Sequence, residues 1–407
     1  MELADVPVIL MLVGIAAYAV LAGADFGAPL WTMTARGETA DRIREGGRRA
    51  MAPVWEANHV WLIFVLVLFW TAYPEIFGSV FSTLWIPLFL ACVGIILRAV
   101  GYVAGYVMAS RTFRILGIGS SFVTPFALGC VVGAIVSGRV PEGNAAGDIL
   151  TAWTGPLSIT IGLLFTAFCA YLAAVYLAAD SVRAGDESLA EAFRRRGIAA
   201  GIVTGALALG AILVLRNEAS ALYQGLTEGA AAIAVIASGV AGILTLSLLV
   251  RGAATPARWC AAAAVVAVIA GWAIAQAPDI MPGVSVHEAA AEDEVLIALL
   301  VAVAAGAMIL VPSLSLLYGL VLRGGFDHMV DGTGESGAIA APRTHPEQSR
   351  TRTAVVLGAG GAGAVLSLVF NDGVWLYAGV VLLVGALFIT AALLASALVA
   401  PDRPGPD

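Results

Sequence analysis

The chain has 407 residues; 60% are hydrophobic, 12% are charged, and the formal net charge is −7. Soluble domains carry about 25% charged residues. This balance, with a mean hydropathy of +0.94, excludes an ordinary soluble protein and places the chain in a bilayer.

The N-terminus, Met1-Glu2-Leu3-Ala4-Asp5, is acidic, whereas a secretory signal begins with positive charge. The first apolar run is therefore expected to be an uncleaved span. A hydrocarbon core of about 30 Å asks for about 20 apolar residues per helix. Nine runs meet this before residue 325: roughly 7–35, 52–72, 76–107, 114–136, 155–179, 197–216, 228–250, 257–277 and 294–322. Two more follow, near 353–371 and 374–400, and the first of these holds the glycine-rich stretch Gly358 to Gly363. Small residues of that kind allow close helix contact in membranes.

All 21 basic residues are Arg and none is Lys. They sit in short connections between apolar runs. A nucleic-acid partner is excluded, because it needs a basic face in polar surroundings. With the N-terminus outside and the loops alternating, the inside segments hold Arg36, Arg42, Arg44, Arg48, Arg49, Arg111, Arg114, Arg183, Arg194, Arg195, Arg196, Arg251, Arg258, Arg323, Arg343, Arg350, Arg352 and Arg403. The outside segments hold Arg139 and Arg216, and Arg98 stays within a span. Arg-rich short loops remain cytoplasmic, so the skew sets the orientation: N-terminus outside, C-terminus in the cytoplasm. The domain plan that follows is a membrane body over 1–324, a cytoplasmic linker rich in Gly, Pro, Ser and Thr over 325–352, and an extension with two further spans over 353–407.

Ionisable groups at membrane depth are functional candidates, because burying a charge in hydrocarbon is costly. Asp25 on the first span, Glu56 on the second and Arg98 on the third all fall near the cytoplasmic side. Asp25 and Arg98 are suited to neutralise each other and hold two helices in register, in which case removing either strands a buried charge. Gly23 and Gly27 flank Asp25 and permit close backbone approach. Glu56 lies in Ala52-Pro53-Val54-Trp55-Glu56-Ala57-Asn58-His59-Val60-Trp61. Helical spacing sets Glu56 and His59 on one side. A carboxylate, an amide and an imidazole within one turn can pass protons to and from water. The same stretch also reads as an interfacial helix start, with Pro53 early in the helix and Trp55 in an aromatic belt.

The four histidines are His59, His287, His328 and His345, and only His59 is near a span. A membrane b-type haem usually needs one or two histidine ligands at fixed depth, so a haem in this chain is not expected. The four cysteines, Cys92, Cys130, Cys169 and Cys260, lie in apolar runs without metal-type spacing and read as small apolar fillers.

Four ordered stretches carry a resemblance. These are Gly23-Ala24-Asp25-Phe26-Gly27, Ala52-Pro53 through Trp61-Leu62-Ile63, Arg98-Ala99-Val100-Gly101, and Ser121-Phe122-Val123-Thr124-Pro125. In order and spacing over residues 1–135 they resemble the second subunit of cytochrome bd-type quinol oxidases. The resemblance implies an all-α polytopic fold of about nine helices, as two four-helix bundles plus a peripheral helix, to which this chain adds two C-terminal spans. It implies a bacterial inner-membrane location and a partner, the first subunit, that carries haems b and d and binds the quinol. This chain itself would hold no cofactor. It would support its partner and supply cytoplasmic protons for reducing oxygen to water, with Glu56 at the acidic proton-entry position and Asp25 and His59 on the same path. Arg98, Trp55, Asn58 and Trp61 would serve structure and charge pairing.

Position 22 is Ala where some relatives carry a second acid. Arg114 stands where some carry the acid of a structural quinone site, which argues against a quinone in this chain. The added tail would replace a small single-helix accessory subunit or cover a lipid-facing side. The competing readings are a secondary transporter with a buried acid and a purely structural membrane subunit.

Overall fold

The computed structural model describes residues 2–36, 40, 42–43, 55–107 and 111–322. Contacts divide the chain into Met1–Phe326 and Asp327–Asp407, and every described residue belongs to the first unit. The expected linker and extension lie outside the described residues.

The described chain is helical apart from a small hairpin. Its helices are α1 (Asp5–Thr34), α2 (Trp55–Ala72), α3 (Pro74–Thr83), α4 (Trp85–Val107), α5 (Arg111–Val136), α6 (Pro156–Arg183), α7 (Glu187–Glu218), α8 (Ser220–Thr227), α9 (Gly229–Val250) and α10 (Ala254–Gln276). The antiparallel strands β1 (Asp279–Met281) and β2 (Val284–Ser285) follow, then α11 (Val286–Ala289) and α12 (Asp293–Leu322). Among the described residues, α1, α5, α6, α7, α9, α10 and α12 are each long and apolar enough to cross a membrane. The bent pair α2–α3 makes up to eight.

The run 76–107, read above as one span, is divided. The axis turns by 118° between α2 and α3, and a second break at Leu84 separates α3 from α4. Two prolines give the reason. Pro74 opens α3 and drives the residue before it, Tyr73, out of helical geometry, with φ −137° and ψ 61°. Pro87 has no N–H for the carbonyl of Thr83 and its ring clashes there, so α3 cannot run on into α4. Tyr73 is fully buried at this corner, and its hydroxyl donates to the Ala4 carbonyl at 2.6 Å.

α1 and α6 are the spine. α1 packs on α2, α5 and α6; α6 packs on α5, α7 and α10; α4 lies on α5, α9 on α10, and α12 on α2. Small residues make these approaches possible. A Cβ on Gly129 would fall 2.7 Å from the Gly162 Cα, and one on Gly133 would fall 2.5 Å from the Ser158 Cα, so α5 and α6 meet backbone to backbone. The outer faces of α7, α9 and α12 present Leu213, Ile233, Ile243 and Met308, each more than 60% exposed. In a bilayer these face lipid or another subunit.

The two ends of the helical body differ in charge. One end gathers Arg42, Arg183, Arg194 and Arg258. Arg42 pairs with Asp186, Arg258 pairs with Asp180, and Arg194 donates to the Leu249 and Val250 carbonyls at the end of α9, both at 3.1 Å. A cation suits the negative pole of a helix C-terminus. The other end holds the N-terminus, the hairpin and His287, whose ring nitrogens lie 3.3 and 3.5 Å from Glu2 and Asp5. Four of the arginines expected inside, Arg42, Arg183, Arg194 and Arg258, therefore share one end.

Asp186 caps α7 at this basic end, accepting from the Leu189 N–H at 3.0 Å. Burial pushes its carboxyl up, but the Leu189 N–H and the Arg42 and Ser188 contacts outweigh this and hold it below the usual range. A depressed acid stabilises the fold above its ordinary range and loses that contribution as pH falls. Asp186→Ala is expected to lose about 1 kcal/mol at neutral pH, as for other helix caps. Thermal midpoints of the two proteins should converge in acid.

Candidate functional site

The site lies where α1, α2, α4, α5 and α6 meet. α1 runs from the acidic end to the arginine-rich end, and Asp25 sits in its last third, 5% exposed. Asn58 on α2, 2% exposed, donates its side-chain amide to the Asp25 carboxylate at 2.5 Å and reaches the Leu21 carbonyl at 3.4 Å. Arg98 on α4, 7% exposed, donates to the Ser121 hydroxyl on α5 at 3.1 Å and lies 4.9 Å from the centre of the Phe26 ring. His59 packs edge-on against Tyr18 at 5.9 Å and Phe26 at 6.0 Å. Cys169 of α6 packs in the same cluster and is completely buried.

Asp25 and Arg98 thus share one cluster and lie within Coulombic reach of each other, but among the described residues no ion pair within 4.0 Å joins them. The shortest contact of the carboxylate is to the Asn58 amide. Phe26, next to Asp25 in sequence, offers its ring face to the guanidinium. Such a cation–π contact strengthens as water is removed.

Two prolines open the backbone around these charges. Pro29 lies inside α1 and Pro125 inside α5. Each lacks the N–H that would bond the carbonyl four residues earlier, and those carbonyls belong to Asp25 and Ser121. The helices therefore present extra acceptors at the level of the buried charges, which suits water or a many-donor group such as guanidinium.

Trp55 and Glu56 begin α2, but their side chains lie outside the described residues. Glu56 falls two residues before Asn58, on the first turn. Trp61 packs on the cluster of Tyr18, Ala22, Phe26 and Cys169 and meets Phe64 edge-on at 6.3 Å. Tyr18 was not singled out from sequence, although it stands seven residues before Asp25 and so on the same helical face. Cys169, read above as an apolar filler, lies within the cluster.

The family model described as cytochrome bd terminal oxidase subunit II matches residues 3–321. The chain belongs to that family. A bd oxidase from Geobacillus thermodenitrificans contains a chain with the same fold, at a TM-score of 0.61 and 24% identity, covering 79% of this chain and 99% of that one. A putative cytochrome bd menaquinol oxidase subunit II of Bacillus subtilis (strain 168) is 25% identical over 221 residues, 51% of this chain. The match spans 61% of that relative's own length. As a bd oxidase subunit II with several apolar helices, the chain is a multi-pass membrane protein, and the family matches do not point to a transporter.

Proposed function

We propose that this chain is the haem-free subunit of a quinol-oxidising, oxygen-reducing complex of the bacterial inner membrane. It braces the haem-bearing subunit and admits cytoplasmic protons toward the site where oxygen becomes water. The observation that carries this is the buried Asp25–Asn58 pair beside His59 and Arg98, placed toward the arginine-rich end. A carboxylate kept in apolar surroundings with an amide, an imidazole and freed carbonyls has no structural economy as a packing device. It does suit proton transfer between positioned groups. The arginine-rich end is the cytoplasmic one on this reading, with the N-terminus outside and nine spans in the body. The extension over 353–407 adds two more, replacing a small accessory helix or covering a lipid-facing side.

On this reading the haems sit in the partner. His59 is the histidine at membrane depth among the described residues, and two aromatic rings pack against it. The described residues also hold no cluster of three His, Cys, Asp or Glu suited to a metal ion. Haems b and d and the quinol are assigned to the partner.

Glu56, one helical turn from the basic end, is the entry carboxylate on this reading. In the complex purified through this chain, Glu56→Gln should keep the haem content and slow oxygen uptake severalfold. Unchanged uptake with full haem content would reduce the chain to a scaffold.

A further inference from the structure

Among the buried groups that the mechanism above leaves unused, Tyr18 lies beside its charged residues. The Tyr18 hydroxyl is buried and has no hydrogen-bond partner among the described residues. Buried hydroxyls are nearly always partnered, by protein or by ordered water, so an exception inside a polar cluster asks for an explanation.

The direction of the ring supplies one. Tyr18 and Phe26 are eight residues apart on α1, a rise of about 12 Å in a regular helix. Their ring centres are only 6.4 Å apart. The Tyr18 ring is therefore turned along the helix toward the level of Asp25, and the Phe26 ring is turned back to meet it. Asp25 faces Tyr18 from its own helix, His59 from α2, Arg98 from α4 and Cys169 from α6. The unpartnered hydroxyl lies within Coulombic reach of Asp25 and Arg98, the buried charged side chains among the described residues. The His59 ring lies 5.9 Å from the Tyr18 ring, centre to centre. An internal water needs two to four polar partners, and the Tyr18 hydroxyl, the Asp25 carboxylate and the His59 ring supply that number.

We propose that Tyr18 is a relay residue: its hydroxyl shares an internal water with the Asp25 region and carries protons from there toward the membrane centre. In each passage the Asp25 carboxyl gives a proton to the water, the water gives one of its protons to the tyrosine oxygen, and the tyrosine's own proton passes to a water on its far side. The side chain ends as it began, and neither oxidant nor reductant is needed. This rests on the proton-entry reading above and extends it past Asp25.

The test uses the complex captured from native membranes through this chain. Tyr18→Phe keeps the ring and removes only the hydroxyl. It should retain the haem content and slow oxygen uptake about threefold, the scale of one lost hydrogen bond, with a larger solvent deuterium isotope effect and an altered pH profile. Tyr18→His restores an exchangeable proton and should recover part of the rate, while Tyr18→Met should not. A purely structural hydroxyl would move neither the isotope effect nor the pH profile. Normal uptake and an unchanged isotope effect in Tyr18→Phe would overturn the proposal, as would its failure to assemble, which would make the hydroxyl structural. Glu56→Gln separates the two readings. If it slows uptake and Tyr18→Phe does not, only the relay role falls; if neither does, the proton-entry reading falls with it.

Discussion

Gly27→Ala is expected to prevent the chain from accumulating as assembled protein. The added Cβ would fall 1.9 Å from the Cys169 carbonyl oxygen and 2.7 Å from the Ala173 Cβ. No rotamer relieves this clash, because the first neighbour is backbone and the methyl has no torsion that moves it. α1 and α6 would have to separate, and they form the spine on which α2, α5, α7 and α10 pack. Overpacking a well-filled interior usually costs about 1–3 kcal/mol, and a clash between main chains belongs at or above that upper end. Without a hydrophobic drive between helices in lipid, close packing is what holds such a seam. Gly239 and Gly242 in α9 are the controls, since nothing lies within 4 Å of a Cβ built on either. Alanine there should be neutral or slightly stabilising, because Gly is about 1 kcal/mol worse than Ala inside a helix. Detergent-extracted yield and thermal midpoint measure all three variants. A Gly27→Ala protein with the parent's midpoint would mean that α1 and α6 do not meet as closely as this.

The helical body was legible because hydropathy and arginine placement are additive over many residues. Apolar runs near 7–35, 155–179 and 228–250 return as α1, α6 and α9 within a few residues. Arg42, Arg194 and Arg258 meet at one end, as their loop positions require. The broken run 76–107 was missed because a hydropathy window averages over Pro74 and Pro87, whose effect is a local loss of two N–H donors. Asp25, Asn58 and Arg98 stood out as polar groups in apolar surroundings, and the fold gathers them. How they connect was not readable from spacing. An amide stands beside the carboxylate and a phenyl ring beneath the guanidinium, since helix rotation, not sequence distance, decides which side chains touch. Tyr18 and Cys169 escaped because an amphipathic or small side chain on a buried face looks like packing until the neighbouring helices are in place.

Arg98→Met should be the most damaging change within the site, destabilising the protein by about 3–5 kcal/mol, as when one partner of a buried charge arrangement is removed. The guanidinium has five donors in a fixed fork. One reaches Ser121, and its positive charge faces Asp25 and the Phe26 ring. Methionine fills much of the volume but leaves the Asp25 carboxylate with the Asn58 amide and no nearby cation to offset its burial. Asp25→Asn alone removes the negative charge of Asp25 that faces the buried guanidinium. The double variant Asp25→Asn with Arg98→Met removes both charges and should recover much of the loss, giving a coupling of at least about 1 kcal/mol in a double-mutant cycle. Chemical unfolding in detergent followed by tryptophan fluorescence supplies the four stabilities. Strict additivity would mean that the two charges ignore each other, and the cluster would then be two separate polar contacts that share a depth. Recovered stability with oxygen uptake still slow would separate the two roles of this site. Its charges would hold α1 against α4, and its protons would need the Asp25 carboxylate itself, which an amide of the same shape cannot replace.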